Sequence, residues 1–196
     1  HPYKSNVEPQ LLWIPQHEWT YTLDFVADDY ILDEDVVELV FEGLDTYADV
    51  WFNGKKILHA DNMFRTYSYD VKDIIKEKNN IKIKFYPFDK ERDSLIETYR
   101  LRFPEKYAVM RKAAYQNGWD WAPRYMNMGI WQPVYLKAWT RSTICSASVI
   151  TKDIHDDKAD LFFEACINAD VEHNISLQLF QEGEKILDQN INLTKG

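Results

Sequence analysis

The segment ADVWFNGKKIL, residues 48–58, gives the clearest local indication of how this chain folds. Asn53 and Gly54 stand at its centre, and both residue types accept the positive backbone φ that the central positions of a type I′ turn require. Apolar and aromatic residues precede and follow the pair, as is typical of strands. The segment therefore predicts a β-hairpin that turns at Asn53 and Gly54.

Segments with the same strand character stand on either side of this hairpin. Upstream, apolar side chains alternate with polar ones, which is the period-two pattern of a half-buried strand. The apolar members are Trp19, Tyr21, Leu23 and Phe25. VVELVFEG (residues 36–43) is a second candidate strand, and NNIKIKFYP (residues 79–87) is a third, with Ile81, Ile83 and Phe85 on one face. Several short strands at this spacing predict a β-sandwich or a barrel.

Residues 88–112 interrupt the strand pattern. DKERDSLIETYRLRF (residues 89–103) is charged, lacks glycine and spaces its apolar residues as a helix does. A second short helix is predicted over EKYAVMRKAAY (residues 105–115), with Pro104 in its first turn. An insertion of this length in a sheet protein is commonly functional. PVYLKAW (residues 133–139) then predicts a return to the sheet.

The sequence changes character at Ser142, where we expect a domain of residues 1–141 to end and a second domain, residues 142–196, to begin. Four alternating segments follow, with a hairpin turn expected at Glu182–Gly183. They are SASVITKDI, KADLFFEACINA, NISLQLFQEG and KILDQNINLT. An immunoglobulin-like sandwich needs about seven strands. We therefore expect the second domain to be partial and the chain to be a fragment of a longer protein.

Composition excludes several classes of function. The formal net charge is −9, and an acidic surface repels phosphate backbones, so we expect no nucleic-acid partner. No apolar run reaches the roughly 18–20 residues of a membrane span. Residues 1–10 do not form a signal peptide, so the compartment is unassigned; a leader removed earlier would indicate a periplasmic, secreted or lysosome-like location. Cys145 and Cys166 are expected to be small buried residues, and neither a metal nor a cofactor is expected.

The segment YQNGWDWAP (residues 115–123) carries the most distinctive chemistry. Within it, Trp119, Asp120 and Trp121 form what we call the Trp-Asp-Trp segment. A carboxylate accepts strong, charge-assisted hydrogen bonds from a pair of adjacent sugar hydroxyls, and an indole offers a flat apolar face to the C–H side of a pyranose. Each good contact to a charged group contributes roughly 1.5–3 kcal/mol. The segment is therefore a candidate sugar-binding site.

The alternative is that Trp119 and Trp121 are core aromatics and Asp120 is a turn residue, and spacing alone favours it. In a strand, Asp120 would face away from both indoles. Only a bend would let all three converge, and Gly118 and Pro123 are candidates for making one.

Four nearby residues have ordinary interpretations. Trp131 opens an apolar strand and is expected in the core. Arg111, Lys112 and Arg124 bracket the Trp-Asp-Trp segment. They could orient Asp120 or contact a substrate, but a solvated basic edge is the expectation.

In family context the segment is more specific. GWDWAP followed by GIWQPVYLKAW resembles the end of the N-terminal domain of the β-mannosidases of glycoside hydrolase family 2, where Gly-Trp-Asp-Trp-Gly-Pro is usual. Ala122 stands where that family generally has glycine. LLWIPQHEWTYTLDF, FEGLDTYADVWFNGKKIL and DNMFRTYSYDVKDIIKEKNNIKIKF are similar to earlier parts of the same domain. The resemblance covers about residues 11–139, and residues 142–196 only loosely.

The resemblance implies an all-β fold: a galactose-binding-like jelly-roll β-sandwich with a helical excursion, followed by the start of an immunoglobulin-like β-sandwich. It implies that the catalytic (β/α)8 barrel, which carries a pair of glutamates acting in a retaining mechanism, follows Gly196 and is absent from this chain. No catalytic residue is therefore expected here, and the fragment alone is expected to be inactive.

The resemblance also implies roles for three residues. Trp119, Asp120 and Trp121 match a loop that lines the subsite of the nonreducing mannose in that family. Asp120 would accept hydrogen bonds from the distal hydroxyls, O4 and O6, and Trp121 would wall the pocket and make the enzyme exo-acting. Trp119 ranks lower and could be structural. The expected partners are β-mannoside oligosaccharides and the catalytic barrel of the same protein.

Two other functions stay open from the sequence. The first is a free-standing carbohydrate-binding module on the same jelly-roll fold, which would bind sugar by itself. The second is the same region of a family 2 enzyme that acts on another β-glycoside, such as a glucosaminide or a mannosyl-glycoprotein linkage.

Overall fold

The computed structural model describes residues 7–100, 106–169 and 172–193 of the chain. The chain divides into two units, residues 1–138 and residues 139–196. Strands predominate in both units. None of the helices described has the length and apolar character needed to cross a bilayer.

Over its described residues, the first unit contains nine strands and three α-helices. The strands are β1 (Trp19–Val26), β2 (Val36–Phe41), β3 (Leu44–Asp45), β4 (Ala48–Phe52), β5 (Lys55–Ala60), β6 (Tyr67–Asp70), β7 (Lys78–Phe85), β8 (Gly129–Ile130) and β9 (Val134–Trp139). The α-helices are α1 (Glu8–Leu11), α2 (Asp29–Leu32) and α3 (Phe88–Tyr99). Short 3₁₀ turns occupy Ile14–Gln16, Lys106–Val109 and Ala114–Asn117.

Two sheets pack face to face and enclose the core of this unit. One has the strand order β1-β7-β4-β5 and the other the order β6-β2-β9, while β3 and β8 form a separate antiparallel pair. Alternate side chains of β2, β4 and β7 point inward, and Phe41, Phe52 and Phe85 are fully buried. Burial of each such side chain contributes roughly 1.5–3 kcal/mol. The result is the predicted β-sandwich.

The hairpin of β4 and β5 turns where the sequence predicts. Asn53 has φ 49° and Gly54 has φ 82°, as a type I′ turn requires. The Asn53 side chain also ties the turn to its surroundings. Its amide donates to the Ile74 carbonyl at 2.8 Å, and its oxygen accepts from the Asn80 backbone N–H at 2.9 Å.

Strand β1 forms, but it is more exposed than its alternation predicts. Tyr21 and Leu23 are 43% and 59% exposed. The reason is position, since β1 is an edge strand that pairs only with β7 among the described strands. An amphipathic pattern predicts a strand but does not determine which face of an edge strand another layer covers.

Of the two helices predicted between residues 88 and 115, the structure has the first and not the second. Helix α3 forms, and it ends at Arg100 in a left-handed conformation. The second helix does not form; its first residues lie outside the described part of the chain, and the rest holds two 3₁₀ turns. The cause is tertiary, because the backbone of Arg111 is extended against residues 62–63 and its carbonyl accepts the Met63 N–H at 3.0 Å.

The second unit consists of long antiparallel hairpins. Strand β10 (Ser142–Ile154) pairs with β11 (Ala159–Ala169), and β12 (His173–Gln181) pairs with β13 (Glu184–Leu193). Glu182 and Gly183 have φ 51° and 89°, which confirms the predicted turn. A two-stranded sheet cannot enclose a core. Accordingly, many apolar side chains in these strands are exposed.

The expectation that both cysteines are buried is wrong. Cys145 and Cys166 are free thiols and both are exposed. They lie on β10 and β11, which pair only with each other among the described residues. The sheet therefore offers no second layer to cover either thiol.

Candidate functional site at the Trp119–Ala122 turn

The Trp-Asp-Trp segment forms a tight turn rather than a strand. The Trp119 N–H donates to the Ala122 carbonyl at 3.1 Å, and the Ala122 N–H donates to the Trp119 carbonyl at 3.2 Å. Asp120 and Trp121 occupy the two central positions. We call this feature the Trp119–Ala122 turn. The structure therefore has a bend in this segment, as the sequence allows at Gly118 and Pro123.

Gly118 begins the turn in a conformation that suits glycine. Its φ is 88°, in the region where a side chain is unfavourable. A Cβ at this position would also lie 3.3 Å from the Cβ of Arg124. The chain therefore passes close to itself at the base of the turn, where only glycine fits without strain.

All three side chains of the Trp-Asp-Trp segment are exposed. Trp119 is 69% exposed, Trp121 is 84% exposed, and Asp120 is exposed between them. The alternative in which the indoles are core aromatics is therefore wrong for this structure. Two neighbouring indoles in water leave a large apolar area unburied, which is typical of a contact surface.

The turn stands on a buried polar cluster centred on Asp45 of β3. The Asp45 carboxylate accepts from Lys112 Nζ at 2.5 Å and from Gln116 Nε2 at 3.0 Å, and Thr46 Oγ1 donates to it as well. All four residues are buried, with exposures between 2% and 6%. We call these four side chains, together with the main chain of Asn127, the Asp45 anchor.

Asn127 connects the anchor to the segment that follows the turn. Lys112 Nζ donates to the Asn127 carbonyl at 2.5 Å, and the Asn127 N–H donates to Gln116 Oε1 at 2.9 Å. The Gln116 amide thus uses its donor on Asp45 and its acceptor on Asn127. Both flanks of the turn are thereby held to the same strand.

The charge of Lys112 is confined inside the protein. Burial lowers the pKa of Lys112, and the attraction and hydrogen bond of Asp45 counteract part of that effect. The expectation that Lys112 belongs to a solvated basic edge is therefore wrong. Arg111 is exposed as expected, and Arg124 is half-buried.

Arg124 follows the turn and is held through both its backbone and its side chain. Its backbone N–H donates to Glu8 Oε1 at 3.0 Å, so helix α1 contacts the base of the turn. Its side-chain Nε lies 3.2 Å from the sulfur of Met126. These contacts add a third support, in addition to Lys112 and Gln116.

Trp131 is not the core residue that the sequence predicts, since it is 46% exposed. Its indole N–H donates to the Met63 carbonyl at 2.9 Å. The ring lies directly over Gly43, where a Cβ would stand 2.3 Å from the indole nitrogen. Met63 in turn accepts the Ala113 N–H at its sulfur, at 3.0 Å. Trp131 therefore links the loop at Met63 to strand β8, next to the anchor.

A second polar cluster lies on the outer face of the sheet, around Asp49. Its carboxylate contacts Lys56 Nζ at 2.7 Å, His59 Nδ1 at 2.8 Å and the Tyr86 hydroxyl at 3.0 Å. Burial alone would raise the pKa of Asp49, but these hydrogen bonds outweigh it and hold the pKa below its usual value. Burial and the bond to Asp49 raise the pKa of Tyr86 to about 12.

Neither cluster resembles a metal site. Across residues 7–100, 106–169 and 172–193, no three His, Cys, Asp or Glu side chains are grouped as metal ligands would be. Within each cluster, the polar side chains are hydrogen-bonded to the central carboxylate, that of Asp45 or that of Asp49. The Trp119–Ala122 turn, by contrast, presents its carboxylate and its indoles to solvent, and it is the candidate site.

Comparisons with known proteins agree with this architecture. Residues 1–132 match the family described as "Glycosyl hydrolase 2 galactose-binding domain-like". β-Mannosidase A of Emericella nidulans is 35% identical over 148 residues, which cover 69% of this chain and 15% of that protein. The β-mannosidase of Mus musculus is 30% identical over 151 residues, covering 70% of this chain and 17% of that protein. The chain thus aligns with about a sixth of each relative.

Solved structures give the same result. The β-D-mannosidase of Dictyoglomus thermophilum superposes on 100% of this chain with a TM-score of 0.86 at 26% identity, using 25% of its own chain. The exo-chitosanase CsxA of Amycolatopsis orientalis covers 99% of this chain with a TM-score of 0.67 at 25% identity, using 21% of its own. The predicted all-β fold class and the family resemblance are confirmed. The chain belongs to glycoside hydrolase family 2, and residues 1–132 match its galactose-binding-like domain.

Proposed function

We propose that this chain is part of a retaining exo-β-mannosidase that removes terminal nonreducing β-D-mannose. The exposed Trp119–Ala122 turn carries the proposal, because its exposed carboxylate stands between two exposed indoles in the sequence and the turn is held by a buried, hydrogen-bonded cluster. The names of the relatives, which include two β-mannosidases, support the choice of sugar.

In this proposal the chain binds sugar and does not perform the chemistry. Asp120 accepts hydrogen bonds from two adjacent hydroxyls of the terminal mannose, and Trp121 walls the pocket beyond them. Trp119 supports the pocket from the base of the turn. The catalytic pair of glutamates belongs to a barrel elsewhere in the whole protein, so no residue of this chain is assigned a catalytic role.

The domain assignment is part of the same proposal. Residues 1–141 form the sugar-binding sandwich, and residues 142–196 begin an immunoglobulin-like domain. The exposed apolar faces of β10 to β13 support this assignment, since such strands need further strands to enclose a core.

One observation favours a second candidate function. The similar structure from Amycolatopsis orientalis is an exo-chitosanase, so a β-glucosaminide is an alternative substrate. Both candidate functions use the same Trp119–Ala122 turn of this chain, and they differ in the sugar that the pocket accepts.

Hydrolysis of aryl glycosides by the whole protein tests the proposal. The panel consists of the β-mannoside, β-glucoside, β-galactoside and β-glucosaminide of one leaving group. We expect the highest kcat/KM with the mannoside and retention of configuration in the product. A preference for the glucosaminide would support the second candidate, and inversion would contradict the retaining mechanism.

A further inference from the structure

The segments that flank the Trp119–Ala122 turn must determine its position. Its tip is closed by two backbone hydrogen bonds, and the side chains of Trp119, Asp120 and Trp121 are exposed. A site must hold its groups to within about 0.5 Å of the productive geometry to bind well. The two flanks of the turn therefore have to provide that precision.

Both flanks converge on one carboxylate. Lys112 and Gln116 precede the turn, and both donate to Asp45, at 2.5 Å and 3.0 Å. Asn127 follows the turn and is bonded through its main chain to the same Lys112 and Gln116 side chains. In addition, Asp45 pairs with Gly129 across β3 and β8.

The chemistry of this cluster indicates precision more than stability. A buried ion pair commonly contributes no more stability than apolar residues of the same volume, because desolvation offsets the attraction. Its partners must nevertheless meet with correct geometry, since an unmatched buried charge is costly. The hydrogen bonds of Asp45 with Lys112 and Gln116 thus restrict the positions that the two segments flanking the turn can take.

We propose that Asp45 and Gln116 are positioning residues for the sugar-binding turn, acting through Asp120 and Trp121 rather than on the substrate. This inference rests on the proposed function of the turn. Asp45 fixes the two flanks relative to β3, and the Gln116 amide sets the distance between them. Neither side chain touches the sugar, because both are buried beneath the turn.

A double-mutant cycle on the whole protein tests this inference. Gln116→Met keeps the length of the side chain, leaves the Asp45–Lys112 pair in place and removes both amide hydrogen bonds. We expect it to lower kcat/KM for the aryl β-mannoside by about 10-fold, mostly through KM. In an Asp120→Ala background, the same substitution should lower kcat/KM by a clearly smaller factor, because only the placement of Trp121 is then left to disturb.

Controls separate positioning from general damage. Gln16→Met places the same substitution at an exposed position of the first unit and should leave kcat/KM unchanged. Asp45→Asn, which keeps the shape but removes the charge, should likewise lower kcat/KM by a larger factor in the wild-type background than in the Asp120→Ala background. Thermal unfolding of each variant verifies that it is folded at the assay temperature.

The outcomes are distinct. If Gln116→Met lowers kcat/KM by the same factor with and without Asp120, its effect is structural and the positioning role is wrong. A Gln116→Met protein with wild-type kcat/KM would also overturn it. If Asp120→Ala itself has wild-type activity, the proposed function of the turn fails, and the inference fails with it.

Discussion

The ammonium group of Lys112 lies 2.5 Å from the carboxylate of Asp45, although 67 positions separate them in the sequence, and both side chains are buried. This pair joins strand β3 to the segment that carries the Trp119–Ala122 turn. This ion pair therefore couples the Trp119–Ala122 turn to the fold.

Removal of one partner of this pair should destabilise the protein. Lys112→Met leaves the Asp45 carboxylate buried without its charge partner, so the free energy of unfolding should fall by about 3–5 kcal/mol. Urea denaturation measures the change. The double variant Lys112→Met, Asp45→Asn removes the unmatched charge and should recover part of the loss. A Lys112→Met loss below about 1 kcal/mol would contradict the account of a buried, tightly paired charge.

Gly118→Ala should strain the base of the turn. The positive φ costs about 1–2 kcal/mol for a residue with a Cβ, and the new Cβ would press on Arg124 at 3.3 Å. Gly54→Ala is a matched control, because Gly54 has a similar φ of 82° and a Cβ added there would meet nothing within 4 Å. We expect both variants to lose stability and only Gly118→Ala to lose mannoside hydrolysis. Equal activity in the two variants would argue against a constrained turn.

Gly43→Ala tests the seat of Trp131. A Cβ there would stand 2.3 Å from the indole nitrogen, so the ring must leave the Met63 carbonyl. Overpacking of this kind costs about 1–3 kcal/mol. In a Trp131→Ala background the new methyl group meets only the Gln132 Cγ among these close contacts, at 2.8 Å, so the cost should be smaller than in wild type. Thermal unfolding of wild type, the two single variants and the double variant gives the coupling free energy between the two positions. If the two losses of stability are additive, Gly43 and Trp131 do not contact each other.

Asp49 should make the free energy of unfolding depend on pH. Its pKa is lower in the folded protein than the usual value of 3.8, so the folded state binds fewer protons than the unfolded chain in acid. Its contribution is complete above the unfolded pKa and is lost as the pH falls through the lower folded pKa. Asp49→Asn should therefore be less stable than wild type at neutral pH, and the difference should shrink in acid.

Urea denaturation at several pH values between about 2 and 6 measures this effect. Asp157→Asn, at an exposed hairpin position in the second unit, is the control and should follow the wild-type curve. If Asp49→Asn also follows that curve, the hydrogen bonds from Lys56, His59 and Tyr86 do not stabilise the carboxylate.

Local signals in the sequence predicted most of the sandwich. The Asn53–Gly54 turn follows from backbone preference alone, and the inward face of β7 follows from the alternation of Ile81, Ile83 and Phe85. Helix α3 likewise follows from its own residues. These features depend on neighbours within a few positions, which a sequence displays directly.

Features that depend on distant partners were missed. Lys112 looks like a surface cation until Asp45 is placed beside it, and the helix expected through residue 111 is lost to backbone pairing with Met63. One signal could have indicated the anchor: Asp45 and Thr46 are two consecutive polar residues between the apolar Leu44 and the pair Tyr47 and Ala48. A polar pair in such a stretch needs buried partners.

The geometry of the candidate site was predicted only in part. Gly118 indicated a bend, and the structure has a turn with Asp120 and Trp121 at its tip. Glu8, Gln116 and Asn127, which hold the flanks, carry no motif of their own. Their importance follows from where the fold brings them, and no local pattern contains that information.

The most direct test of the central claim is the effect of Asp120→Ala on sugar discrimination by the whole protein. Asp156→Ala is the matched control, because Asp156 is also exposed at the tip of a tight turn, where the His155 N–H donates to the Lys158 carbonyl at 2.8 Å. If Asp120 binds the sugar hydroxyls, Asp120→Ala should lower kcat/KM for the aryl β-mannoside roughly 30- to 150-fold, which corresponds to about 2–3 kcal/mol of transition-state stabilisation. Asp156→Ala should match wild type. Wild-type kcat/KM in Asp120→Ala would contradict the claim, since the turn would then take no part in binding the substrate.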